Sequence, residues 1–81
     1  MRVEIKVLGS GCARCNQLER DVINVLAEMD VAADVEKVQD IQKIMSYNIM
    51  STPALIINGK VKTTGRVPRI AELKKFISEE L

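Results

Sequence analysis

Gly9-Ser10-Gly11-Cys12-Ala13-Arg14-Cys15 is the stretch from which the chain reads outward in both directions. Upstream, Arg2 to Leu8 alternates, with Val3, Ile5 and Val7 on one face and Arg2, Glu4 and Lys6 on the other. That period of two is a strand. Gly9-Ser10-Gly11 breaks it and leaves Ser10 or Gly11 available as a helix cap. Downstream, Cys15, Leu18, Val22, Val25, Leu26 and Met29 recur at spacings of three and four, the apolar stripe of a helix. Glu19, Arg20, Asn24 and Glu28 fill the rest of its surface. Cys12 precedes Cys15 by three residues, which puts both sulfurs on or near one face of the first turn. The inner cysteine continues the buried stripe, and the outer one is expected at the exposed helix tip.

The remaining elements follow from the same two periods. Val31 to Val38 alternates and predicts a second strand, with Val31, Ala33 and Val35 together. Asp40 can cap a short helix holding Ile41, Ile44 and Met45. A loop from Ser46 to Thr52 leads to Pro53. Ala54 to Ile57 is a continuous apolar strand of the kind covered on both faces. Asn58-Gly59 predicts a type I′ hairpin turn, and Lys60 to Thr64 returns as an edge strand guarded by Lys60 and Lys62. Gly65 ends it. Pro68 is expected to open a last helix, amphipathic from Arg69 to Glu80, that buries Ile70, Leu73, Ile77 and Phe76. Met29, Met45 and Met50 read as core or gap fillers, and Tyr47 as packing with a polar tip.

The order is β-α-β-α-β-β-α, an α/β fold with a four-stranded mixed sheet and three helices, in a single domain over residues 1–81. One tension stands out. The first strand should be central, yet one of its faces carries Arg2, Glu4 and Lys6. Either the short middle helix covers that face thinly, or these side chains snorkel past it.

Bulk composition narrows the function. A chain of 81 residues has room for one core and buries only a little over ~60% of the surface its unfolded form exposes. The formal net charge is +1 with both signs interspersed, which argues against a nucleic-acid footprint. The longest apolar stretch, Ala54 to Ile57, is too short to span a bilayer. The N-terminus does not resemble a signal peptide, so a cytoplasmic location is expected. There are two cysteines and no histidine. A bridge between Cys12 and Cys15 closes so small a loop that it adds roughly 2 kcal/mol, against about 3 for a 15-residue loop. The pair is poorly placed as a staple and well placed for chemistry.

C-x-x-C at a helix start, after a strand and a tight turn, reads as a thioredoxin-like redox motif. Unpaired N–H groups and the helix dipole favour negative charge at Cys12, and the thiolate is the nucleophile. Arg14 adds a positive charge nearby. Cys15 can then attack the mixed disulfide formed at Cys12 and release the product.

The chain resembles the thioredoxin superfamily in its minimal form, and most of all the small redox-active disulfide proteins. The likeness runs over essentially the whole length. It rests on Gly11-Cys12-Ala13-Arg14-Cys15, Ser51-Thr52-Pro53-Ala54-Leu55, Ile57-Asn58-Gly59-Lys60 and Thr64-Gly65-Arg66-Val67-Pro68. The resemblance implies a minimal thioredoxin fold, with Pro53 a cis proline facing a redox-active disulfide Cys12–Cys15. It implies that the Thr52 backbone pairs with an extended substrate and that Gly65 lines the same groove. It also implies protein disulfide substrates, a disulfide reductase as partner, a monomer, and no other cofactor. Gly11 stands where thioredoxin proper usually has Trp, and Ala13-Arg14 stands in place of its Gly-Pro. A clear counterpart to its buried acidic group is lacking, and Thr63-Thr64-Gly65-Arg66 does not match the glutaredoxin patch.

Two alternatives remain open at this stage. A metallochaperone-like module could hold Cu(I) or Zn(II) on the same two thiolates, although such folds end on a strand. A structural adaptor could keep the fold without turnover, but both cysteines are intact.

Overall fold

The computed structural model describes residues 3–9, 13–49 and 51–81. The elements run β1 (Val3–Leu8), α1 (Ala13–Met29), β2 (Ala33–Val38), α2 (Ile41–Ser46), β3 (Ala54–Ile57), β4 (Lys60–Thr64) and α3 (Ile70–Ser78). The strands form one mixed sheet in the order β2-β1-β3-β4. β1 pairs in parallel with β2 from Val3↔Ala33 to Leu8↔Val38, as a strand–helix–strand crossover requires. β3 runs antiparallel to β1, from Ile5↔Ile57 to Leu8↔Ala54, and β4 antiparallel to β3. The expected element order is therefore the observed one. Among the described residues, no helix is long and apolar enough to cross a membrane.

The larger core lies where α1 and α3 pack on the sheet. Val3, Ile5 and Val7 of β1 and Leu55 and Ile57 of β3 meet Leu18, Val22, Val25 and Leu26 of α1 and Leu73 and Ile77 of α3. The predicted α1 stripe is the buried one: Cys15, Leu18, Val22, Val25 and Leu26. Met29 packs at its margin. A second, smaller core on the opposite face joins Leu8, Val38, Ala54 and Ile56 to Ile44 of α2, with Tyr47 and Ile49 against it.

This second core resolves the tension in β1. A six-residue helix rises only about 9 Å, whereas a six-residue strand extends about 20 Å. α2 therefore covers Leu8 and leaves Glu4 exposed and Lys6 half-buried. Lys6 lies over the Tyr47 ring, 5.6 Å from its centre, and its Nζ donates to the Tyr47 hydroxyl at 2.9 Å. Both sequence-level explanations hold in part, thin cover and a snorkelling lysine. The uncovered half carries an open hollow of about 210 Å³ lined by Glu4, Ile5, Lys6, Asp34 and Glu36.

Local signals fare unevenly. Asp40 caps α2 as expected, its Oδ1 accepting from the Gln42 N–H at 2.9 Å. Asn58 and Gly59 take φ of 52° and 82°, the positive pair a type I′ turn needs. Asn58 also ties the turn to β1: its N–H donates to the Glu4 carbonyl at 2.7 Å, and its Oδ1 accepts from the Glu4 N–H at 2.9 Å.

Several expectations need correction. The second strand starts at Ala33, not Val31, because the Val31 N–H donates to the Leu26 carbonyl and closes α1 instead. Pro68 does not open α3; Arg69 is the cap and Ile70 the first helical residue. Ile70, expected to be buried, is the first residue of α3 and is 41% exposed; the buried residues of that helix are Leu73 and Ile77. Met45 is not a core filler. It lies beside Ile41 on the outer face of α2, and both are exposed because only Ile44 faces the sheet. Met50 lies outside the described residues. β4 carries a bulge opposite Leu55/Ile56 that leaves Lys62 without a strand partner. Its ammonium instead reaches Glu80 at 2.9 Å and Glu79 at 3.4 Å.

Candidate active site

The topology brings four separate segments to one end of the sheet. β1 and β2 finish there side by side, Leu8 against Val38. Antiparallel pairing starts β3 at the same level, Ala54 against Leu8, and ends β4 there, Thr64 against Ala54. The residues just beyond these strand ends are Gly9, Thr52–Pro53 and Gly65, and the first turn of α1 returns over them with Cys15. Carboxyl ends of parallel strands are where open α/β sheets place their sites.

Cys15 is fully buried at the first turn of α1, while Ala13 and Arg14 beside it are exposed. The Thr52–Pro53 peptide is cis, with Pro53 buried and Thr52 exposed. The Pro53 carbonyl accepts the Gly65 N–H at 2.9 Å, which binds the end of β4 to the loop before β3. Gly65 has φ of 75°, and a Cβ there would stand 3.1 Å from the Cβ of Ser51, so both conformation and space call for glycine. Cys12, its exposure and the Cys12–Cys15 bridge lie outside the described residues, as do the candidate caps Ser10 and Gly11.

Two features were not singled out from the sequence. Gly9 is buried between Cys15 and the Thr52 side chain, and a Cβ on it would meet the Cys15 sulfur. A glycine directly after the last strand residue and three before Cys12 was the available signal. The second is an anchor beside the cysteine: Lys37, near the end of β2, donates from Nζ to the Asn16 Oδ1 on the first turn of α1. A lysine in an alternating strand carries no such signal, because its partner comes from α1, distant in sequence. Among the described residues, no group of three or more His, Cys, Asp or Glu is placed to hold a metal ion.

Glu72, at the entry to α3, fixes the segment that follows Gly65. Its carboxylate accepts from the Arg66 guanidinium at 2.7 and 3.1 Å and from the Arg69 N–H at 3.2 Å. The Arg66 contact first, then the Arg69 N–H, lowers its pKa to about 2.

Known proteins agree with this architecture. Residues 3–78 match the family model of the thioredoxin domain. A thioredoxin of Methanothermobacter thermautotrophicus is 32% identical over 76 residues, spanning 94% of this chain and 99% of the relative. A thioredoxin of Methanocaldococcus jannaschii is 28% identical over 79 residues, spanning 98% and 91%. In three dimensions, the germline-specific thioredoxin Deadhead of Drosophila melanogaster superposes with a TM-score of 0.69 at 15% identity. That superposition covers 99% of this chain and 82% of Deadhead, a likeness of fold. On the family match and the first of these relatives, the chain belongs to the thioredoxin domain family.

Proposed function

We propose that this protein exchanges a dithiol for a disulfide through Cys12 and Cys15, acting on protein or small disulfide substrates. Family membership supports thiol–disulfide oxidoreduction as the general activity. The observation that carries the finer reading is the burial of Cys15 at the first turn of α1, beside Gly9 and the Thr52–Pro53 loop. A buried thiol three residues after Cys12 in the sequence suits the second step of exchange rather than the first.

In this reading the Cys12 thiolate, favoured by the N-terminal end of α1, attacks a substrate disulfide. One substrate sulfur leaves as a thiolate and takes up a proton, and the other is held on Cys12. Cys15 then attacks the Cys12 sulfur, the mixed disulfide breaks, and the second substrate thiol departs. Two electrons pass from the cysteine pair to the substrate, and the new Cys12–Cys15 disulfide is the redox group, without a further cofactor. The Thr52 backbone offers its polar groups to an extended substrate segment, with Pro53 and Gly65 shaping the floor of the groove. Arg14, exposed on the same turn, tunes the local charge. A disulfide reductase restores the dithiol, and the setting is a monomer in the cytoplasm.

Insulin disulfide reduction tests the assignment. Cys12→Ser should abolish turnover, and Cys15→Ser should leave substrate trapped on Cys12 as a mixed disulfide detectable by mass. Undiminished activity in Cys12→Ser would end this reading. The metal-carrier alternative draws no support from the family match or the relatives.

A further inference from the structure

We propose that Gly9 is a positioning residue for Cys15, its missing side chain being the seat of the Cys15 sulfur. The inference rests on the exchange reading above and deepens it. A Cβ on Gly9 would stand 2.0 Å from the Cys15 Sγ, 2.9 Å from its Cβ and 4.0 Å from the Thr52 Cβ. The first two distances are well inside the ~3.5–4.0 Å of an ordinary nonbonded contact. Backbone conformation is not the reason for glycine at this position. Gly59 and Gly65 have positive φ, and Gly9 does not. The requirement is for space.

Neither side of the contact can yield easily. The Gly9 N–H donates to the Val38 carbonyl at 2.9 Å, so the strand end is tied into the sheet. Cys15 is fully buried on a 17-residue helix whose stripe is locked in the larger core. The sulfur therefore rests against bare backbone, on the side of Gly9 that faces the Thr52–Pro53 loop. A methyl group at Gly9 would displace or rotate it, and the step affected is the second one. There, the Cys15 sulfur must reach the Cys12 sulfur in line with the bond to substrate. The Cys12–Cys15 bond forms as the Cys12–substrate bond breaks, and the departing thiolate takes up the proton given up by Cys15. The first attack, by Cys12, does not use the seat.

The test compares wild type with Gly9→Ala in glutathione redox buffers, reading the equilibrium between dithiol and Cys12–Cys15 disulfide. Gly9→Ala should lower the effective concentration of the pair about tenfold or more, because small misplacements of reacting atoms carry large penalties. The rate of Cys12 alkylation by iodoacetamide should stay within about twofold. An unchanged equilibrium would overturn the proposal. Failure of the wild type to form the bridge at all would instead sink the exchange reading beneath it. Ile77→Val, in the core away from the site, should lower the urea midpoint and leave the redox equilibrium alone. A shift there as large as that of Gly9→Ala would mean that lost stability is the cause, and the seat would fall. Should Gly9→Ala fail to fold, a double variant decides. With Cys15→Ala removing the sulfur, the Gly9→Ala/Cys15→Ala protein should recover a folded state with a urea transition that Gly9→Ala alone lacks; a double variant that still fails to fold while Cys15→Ala folds would refute the contact.

Discussion

The two faces of the sheet are covered very unequally. One receives α1 and α3, which bury two strands along their length. The other receives the six residues of α2, which bury only the end formed by Leu8, Val38, Ala54 and Ile56. That covered end is where Gly9, Cys15, Pro53 and Gly65 gather. The smaller core thus backs the strand ends that position the candidate site, and the charged half of β1 lies where no helix reaches. A chain with room for one main core has placed its second patch of apolar packing beneath the site.

Substitutions on the two faces can break or sharpen this contrast. Leu18→Ala, in the larger core, should cost about 2–5 kcal/mol, read from urea unfolding. Ile44→Ala, the one buried residue of α2, should fall near the low end, about 2 kcal/mol, because a short helix over a small core can resettle. A larger loss for Ile44→Ala than for Leu18→Ala would reverse the ranking of the faces. Lys6→Met removes the donor to the Tyr47 hydroxyl but keeps a stem of similar length over the ring. Its midpoint should move less than either alanine variant, and a loss as large as that of Ile44→Ala would make the charged half of β1 part of the core.

The smallest effect concerns acid. The Glu72 pKa is lowered from 4.5 to about 2 in the folded protein, by Arg66 first. Folding therefore favours its carboxylate. The contribution is complete above about pH 4.5 and is lost as pH falls towards 2. Melting temperature should decline over that window, and Glu72→Gln should flatten the decline. An unchanged acid slope in Glu72→Gln would mean that the exposed Arg66 pair contributes nothing measurable.

Much of this was legible residue by residue. Alternation in Val3–Val7, the three-and-four spacing from Cys15 to Met29, and Asn58-Gly59 each encode a local geometry that the fold adopts. Asp40 caps α2 for the same local reason. The misreadings occur where distant segments compete for one group. Val31 looks like strand by alternation, but its N–H completes the end of α1. Ile70 has the helical spacing for burial, yet as the first residue of α3 it stays exposed while Leu73 and Ile77 are buried. Lys62 reads as an edge guard, but a bulge turns it towards Glu80.

The candidate site divides along the same line. Cys12-Ala13-Arg14-Cys15 after a strand and Thr52-Pro53 before another are marks of the chain itself, and they were sufficient to suggest redox chemistry. The element order and the buried stripe of α1 were likewise set by local periodicity, which needs no knowledge of the rest of the molecule. Packing alone decided which face α2 would cover, that Glu4 and Lys6 would remain outside it, and that Gly9 would face the Cys15 sulfur. Those outcomes depend on strand register and helix length acting together across the sheet, a geometry that exists only once the chain has closed on itself.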